Sequence, residues 1–279
     1  MKTIENNTTT PEIDTDEKFD RPYGLRIKYD NPDDHKPTEK VNEWVRNKTN
    51  NKISKIIDKL DTSTTAIIIN AVYFKATWSK QFKTTEKLHF FNDGRHGIKV
   101  DTMSVTDDFN YFESRELDSR ILELQYLGTK ISFIIVLPNY MINGLQRIKS
   151  RINSQNLKQA VNSLQSTYMK LFIPKFTAEN TYDLKRDIKP LPIALTPVAD
   201  LSRLTPVPQE LCEAIHKTYI SVDERGTEAA AVTLLTWVLF SGGNPDPIPV
   251  IFRANHPFLY YIMDKSNGLI LFSGQINKL

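Results

Sequence analysis

The sequence predicts an α+β fold, and three observations carry that prediction. Thr64 to Phe74 contains the continuous apolar run Ala66-Ile67-Ile68-Ile69-Asn70-Ala71-Val72-Tyr73-Phe74, which suits a strand buried on both faces. Ile121 to Tyr126 and Lys130 to Leu137 flank Leu127-Gly128-Thr129 and read as a hairpin pair. Thr38 to Leu60 and Asn143 to Leu164 instead carry apolar residues at helical spacing with charges between them.

Taken in order, Met1 to Pro22 is rich in Thr, Asn and Asp and reads as a disordered segment. Tyr23 to Tyr29 alternates as a strand does, and Asn31-Pro32-Asp33-Asp34 marks a turn. Val41, Trp44, Val45, Ile53, Ile56, Ile57 and Leu60 form one apolar face of the helix expected over 38–60. Asn70 interrupts the following strand and needs a hydrogen-bond partner if buried. Lys99 to Met103, Phe109 to Phe112 and Tyr168 to Ile173 read as further strands. Residues 143–164 divide into two amphipathic segments. Asn180-Thr181-Tyr182-Asp183-Leu184-Lys185 opens a helix that Pro190 and Pro192 stop. Ile215 to Glu224 alternates as a strand.

Composition excludes more than it selects. A net charge of +3 over 279 residues gives no drive towards nucleic acid or an anionic membrane. The single cysteine, Cys212, excludes an intramolecular disulfide and reads as a buried structural thiol. No stretch has the length of a membrane span, and the polar N-terminus has no signal-peptide core, so an intracellular protein is expected. The five histidines show no metal-ligand spacing, no phosphate loop or dinucleotide fingerprint is present, and no catalytic constellation stands out. Neither an enzyme nor a cofactor or metal is expected.

The stretch that organises the chain is 222–240. After the strand, Gly226 lets the backbone turn. Thr227-Glu228-Ala229-Ala230-Ala231-Val232-Thr233 follows, a run of small side chains that buries little apolar surface and has little to hold it docked. Ser241-Gly242-Gly243-Asn244-Pro245-Asp246-Pro247 reads as a loop. By itself the small-residue run suits a short Ala-rich surface helix. The string Asp223-Glu224-Arg225-Gly226-Thr227-Glu228-Ala229-Ala230-Ala231, however, resembles the reactive-centre-loop hinge of inhibitory serpins. His256-Pro257-Phe258-Leu259-Tyr260 and Ile270-Leu271-Phe272-Ser273-Gly274 resemble that family's C-terminal signature. Asn70-Ala71-Val72-Tyr73-Phe74-Lys75-Ala76-Thr77-Trp78 is similar to another of its strings.

The resemblance implies a serpin-like arrangement of mixed β-sheets with surrounding helices and an exposed reactive-centre loop at about 225–250, over a domain from residue 23 to 279. It also implies a function: bait for a protease, whose cleavage lets the hinge insert as a new central strand. The hinge is then Glu224, Gly226, Thr227, Glu228, Ala229, Ala230, Ala231 and Thr233. With Thr227 as the first inward side chain, the inward set runs Thr227, Ala229, Ala231, Thr233, Leu235 and Trp237, with no charge and no Pro. About ten new ladder hydrogen bonds at about 1 kcal/mol each would favour insertion by on the order of 10 kcal/mol. Family spacing puts the scissile bond at Phe240–Ser241, or at Leu239–Phe240 with a hinge one residue shorter. Both place a large apolar residue in the protease's primary pocket, which suits a chymotrypsin-like serine protease, with a cysteine protease as the other class. Asp246-Pro247 would suit a caspase-type enzyme but lies too far downstream. Asn70 and His216 match the "shutter" where the sheet opens, and Trp78 matches the point where the loop first enters.

The departures are as specific. The helices that precede the sheet-crossing helix in the family have no counterpart here, and an exposed apolar sheet face or a partner or second copy covering it is expected. The family includes shortened, intracellular viral members, and the lack of a signal and the Lys-, Asn- and Ile-rich texture would suit one of poxvirus type. The alternative function is a serpin-fold binding protein that is cleaved only as a substrate.

Overall fold

In the computed structural model, residues 13–14, 26–27, 36–60, 67–187, 212–227 and 248–279 are described. Ile13–Asp14 (β1) pairs antiparallel with Arg26–Ile27 (β2), so a short strand lies inside the segment expected to be disordered. Helix α1 spans Lys36–Lys48 and does not run on to Leu60. Asn50 and Asn51 take φ of 50° and 61°, a left-handed backbone through which an α-helix cannot continue. The Thr49 hydroxyl donates to the Val45 carbonyl at 2.7 Å and accepts from the Ile53 N–H at 3.1 Å, replacing the helical ladder there.

Ile67–Tyr73 (β3), Ala76–Thr77 (β4) and Thr84–Phe91 (β5) come next. The two strands expected at 99–103 and 109–112 are one, Gly97–Ser114 (β6), because the intervening polar residues stay in the ladder. Ser119–Gln125 (β7) and Ile131–Pro138 (β8) form the expected hairpin. Gly144–Arg151 (α2) and Ser154–Asn162 (α3) are separated at Ile152, which is extended; Asn153 and Asn156 then cap α3 reciprocally. Gln165–Pro174 (β9) follows. Phe176–Asp183 (β10) is a strand where a helix was expected from Asn180, and the helix (α4, Leu184–Asp187 among the described residues) starts four residues later. Thr181 and Tyr182 favour the strand, and the Asp183 carboxylate accepts the Lys185 N–H at 3.1 Å to start the helical turn. Glu213–Val222 (β11), Gly226–Thr227 (β12), Val250–Arg253 (β13), Phe258–Asp264 (β14) and Leu269–Ile276 (β15) complete the series.

The chain divides into two compact units, each assembled from two stretches of sequence: Met1–Tyr73 with Ala178–Ile220, and Phe74–Thr177 with Ser221–Leu279.

In the first unit β11 runs parallel to β3, with Asn70 opposite His216, and is flanked on its other side by β10. Val41 and Val45 of α1 bury against Ile53, Ile56, Ile57, Leu60 and Ala71, with Ile67, Ile69 and Ile215 packed alongside. The side chain of Asn42 ties the non-helical stretch to α1: it donates to the Ile57 carbonyl at 2.9 Å and accepts from the Ile56 N–H at 2.9 Å. Helical spacing at 53–60 therefore reflects packing around a bend. β3 is not buried on both faces. Ile67, Ile69 and Ala71 turn towards this core, and the alternate residues face out, leaving Ile68 40% exposed and Asn70 exposed. Cys212 is half-buried, not a core thiol.

In the second unit the sheet runs β13-β9-β6-β7-β8-β14-β15, with β5 added on β6. Ile148 of α2 and Leu157, Ala160 and Val161 of α3 pack on Ile121, Ile134, Val136, Leu259 and Met263. Two parts of the C-terminal string are structural. His256 is buried, its Nε2 2.9 Å from the Pro138 carbonyl. A Cβ at Gly274 would stand 2.4 Å from the Tyr260 ring, so only glycine fits beneath it. Glu123, 1% exposed, is satisfied by Asn110 and Ser132 and paired with Lys265 at 2.8 Å.

Candidate functional site

The site forms where the chain leaves β11. Asp223, Glu224 and Arg225 reverse its direction, and Asp223 holds the turn. Its carboxylate accepts from the N–H of Arg225 at 2.8 Å and of Gly226 at 3.1 Å, and its own N–H donates to the Gly226 carbonyl at 2.9 Å. The returning strand β12 is described at Gly226–Thr227 and is paired on both sides. Thr227 lies opposite Val222 of β11, and Gly226 and Thr227 lie opposite Thr77 and Ala76 of β4. The approach is too close for any side chain at 226: a Cβ there would sit 2.0 Å from the Ala76 carbonyl oxygen and 2.8 Å from Thr77 Cα.

Beneath β12 lies an aromatic floor. Trp78 is 1% exposed and stacks on Tyr126 with ring centroids 4.6 Å apart and planes 13° from parallel. Its indole N–H donates to the Asp223 carbonyl at 2.9 Å, and its backbone N–H donates to the Arg225 carbonyl at 2.9 Å. Thr227 is wholly buried, its hydroxyl 2.7 Å from the hydroxyl of Tyr126. Burial pushes the Tyr126 phenol far above its ordinary pKa, a shift the bond to Thr227 opposes, so the phenol stays a neutral partner.

Glu224 anchors the outside of the turn. Its carboxylate accepts from the Thr85 hydroxyl and lies 3.0 Å from Lys175 Nζ, while its carbonyl accepts the Phe82 N–H at 2.9 Å. Burial alone would raise its pKa, but the hydroxyl, a backbone N–H and Lys175 outweigh burial and hold the carboxyl below its ordinary value. The structure brings Glu224, Gly226, Thr227 and Trp78, all named from the sequence, together with Tyr126, Thr85 and Lys175, which the sequence did not single out. Lys175 carried a signal, since Pro174-Lys175-Phe176 is similar to a further string of the family that 223–231 resembles; Thr85 carried none.

The second pair, Asn70 and His216, lies in the other unit. The two are register partners in the parallel β3–β11 ladder. Tyr182 of β10 stacks on the imidazole at 5.8 Å and 24°. Burial lowers the His216 pKa, opposed by a bond to the Asn70 backbone, and Nδ1 is buried with no partner among the described residues. Glu228, Ala229, Ala230, Ala231, Thr233, Leu239, Phe240 and Ser241 fall outside the described residues. Among the described residues no helix is long and apolar enough to cross a membrane.

Residues 17–279 match the family model described as serpin (serine protease inhibitor), and the chain belongs to that family. It is 38% identical to intracellular coagulation inhibitor 2 of Tachypleus tridentatus over 247 residues, covering 86% of this chain and 60% of that protein. Serpin48 of the insect Tenebrio molitor superposes with a TM-score of 0.71 at 32% identity, covering 87% of this chain and 64% of that one. Human thyroxine-binding globulin, solved with thyroxine, superposes with a TM-score of 0.75 at 27% identity, covering 86% of this chain and 63% of that one. The chain thus spans less than two thirds of the length of these relatives.

Proposed function

We propose that the chain is a suicide-substrate inhibitor of a chymotrypsin-like serine protease, or of a cysteine protease with the same apolar preference. The observation that supports this most is the pairing of Gly226 and Thr227 between β4 and the end of β11, with the Thr227 side chain wholly buried. The start of the bait segment is already in strand register and its first inward residue already docked. Cleavage at Phe240–Ser241, or at Leu239–Phe240, frees the rest to extend that strand. Glu224 and its partners fix the turn about which the segment reverses, and Asn70 and His216 mark the ladder that must part. Residues 23–279 act in this reading as one inhibitory domain, and the action is inside cells, where a relative's name also puts it.

A second reading has its own support. Ile68 and Asn70 face outwards, so this face of β3 is uncovered among the described residues and offers apolar surface to a partner. In that reading the protein binds a partner or a second copy over this face and is cleaved without trapping the protease. Incubation with chymotrypsin and with cathepsin G, followed by a denaturing gel, separates the two. A covalent complex that survives boiling, with a C-terminal peptide beginning at Ser241 or Phe240, is expected. Cleavage at that bond with no complex supports the second reading, and no cleavage removes the bait assignment.

A further inference from the structure

In the second unit, away from β12, a cavity of about 230 Å³ opens on one face of β5, β6 and β9 beside the end of β13. Its walls are apolar, with Phe90 wholly buried, Phe172 and Pro174 buried and Val100 half-buried. Its polar lining is His89 of β5, Thr102 of β6, and Arg253 and Asn255 at and just beyond the end of β13. Arg253 follows Phe252 out of β13 and lines the mouth, its guanidinium carbon 4.8 Å from the Phe172 ring centre. Lys170, two residues along β9 and so on the same face, holds its ammonium 5.4 Å from that ring. Two cations thus share the Phe172 ring, Arg253 lining the mouth and Lys170 standing outside the lining. Arg253 has no ion pair among the described residues. No carboxylate lines the cavity, and Glu86, the acid on this face of β5, is exposed and outside it. Thr102, buried, places a hydroxyl in the wall that is weakly tied to the Val100 carbonyl at 3.3 Å.

Such a cavity needs a ligand with an apolar body and one negative end. Accessible apolar surface on Leu88, Val100 and the rim of Phe172 is covered by a ring or short alkyl chain. The guanidinium accommodates a carboxylate in its planar fork and is already oriented by its stacking on Phe172. Lys170 adds a second positive charge, and the lack of a lining acid leaves nothing to repel the anion. We propose that this cavity is a binding site for small apolar carboxylates, of the size of a single-ring aromatic acid, with the ring against Val100 and Phe172 and the carboxylate on Arg253. The site is independent of the bait segment. Its walls include Arg253, Ala254 and Asn255, and the Phe91 N–H donates to the Asn255 carbonyl at 2.8 Å, so a bound acid braces β5 against the segment following β13.

The test uses 4-phenylbutyrate and its neutral counterpart 4-phenylbutan-1-ol, titrated calorimetrically and by saturation-transfer NMR against the full chain. The expected result is saturable binding of the acid, with the alcohol weaker by roughly five-fold or more, as loss of a partly exposed charge-assisted contact predicts. Arg253→Gln should bring the acid down to the alcohol's affinity and leave the alcohol unchanged, since Arg253 is exposed and its loss does not disturb the core. Val100→Phe, which fills the cavity, should abolish binding of both with the far-ultraviolet circular dichroism retained. Absence of saturable binding, equal affinity for acid and alcohol, or acid binding unchanged in both variants would overturn the proposal.

Discussion

The hydroxyls of Tyr126 and Thr227 meet at 2.7 Å, both side chains buried, and this contact fixes Thr227, the first inward residue of the proposed bait segment, to the aromatic floor of the sheet. Each hydroxyl is the other's partner in a place without water, so removing one leaves the other unsatisfied. Thr227→Val should lower the unfolding free energy by about 1–3 kcal/mol, and Tyr126→Phe by a similar amount. The double variant should cost less than the sum of the two, because no orphaned hydroxyl remains. Urea unfolding of the four proteins measures the coupling directly; strict additivity would mean that the contact does not hold the segment.

Thr227→Arg tests function at the same point. A guanidinium cannot enter the buried position without losing its hydration, a cost of several kcal/mol. The strand beyond it then cannot insert, and the variant should be cleaved by chymotrypsin at the wild-type bond while forming no covalent complex. Complex formation at wild-type yield would show that trapping does not require this residue to be inward.

Gly226 is constrained by space. Its missing Cβ would lie 2.0 Å from the Ala76 carbonyl oxygen, which is backbone and cannot give way. Gly226→Ala should therefore release β12 from β4 and leave β5 and the large sheet intact. Hydrogen exchange should rise at Thr227 and Ala76 while the amides of β7 and β8 stay protected. If β12 stays protected in the variant, the close approach is not a constraint.

How much of this site was legible in the sequence depended on what each residue has to do. Glu224, Gly226 and Thr227 lie within one short string and could be read as a unit, and Trp78 stood at the end of another. Their partners could not be read so, because Tyr126 is 101 residues from Thr227, and the Glu224–Lys175 ion pair spans 49. Only the fold brings such pairs together. The errors in the fold have equally local causes. The helix expected through Leu60 kept its apolar spacing, but two asparagines in the left-handed region ended it at Lys48. The strand expected to be buried on both faces was read from composition, and composition does not say which neighbours are present to cover Ile68 and Asn70.

The Glu224 cluster carries an acid-side signature. Its carboxyl is held below the ordinary pKa once the Thr85 and Lys175 contacts outweigh burial. A depressed folded-state pKa contributes stability above the unfolded value of about 4.5, and that contribution disappears as pH falls through the lower folded value. Wild-type protein should lose Tm below about pH 4.5 more steeply than Glu224→Gln. Lys175→Met should reduce the difference, though modestly, because both partners are partly exposed. Parallel Tm curves for wild type and Glu224→Gln would remove Glu224 from the acid response.

A second titration falls in a separate window. His256 is buried between the Asn255 side chain and the Pro138 carbonyl, and burial lowers its pKa below 6.5 despite the bond to that carbonyl. The unfolded chain then takes up a proton before the folded one does. The stability due to the neutral ring is complete above about pH 6.5 and is lost as pH falls from there towards the lower folded value. His216, lowered likewise by burial, adds a loss of the same sign. Tm should therefore fall between pH 7 and about pH 5, before Glu224 titrates. His256→Gln should start from a lower Tm, since glutamine fills the space differently, but its slope over this interval should be shallower, and His216→Gln should flatten it further. A wild-type Tm that is level from pH 7 to pH 5 would mean that neither imidazole is held neutral by the fold.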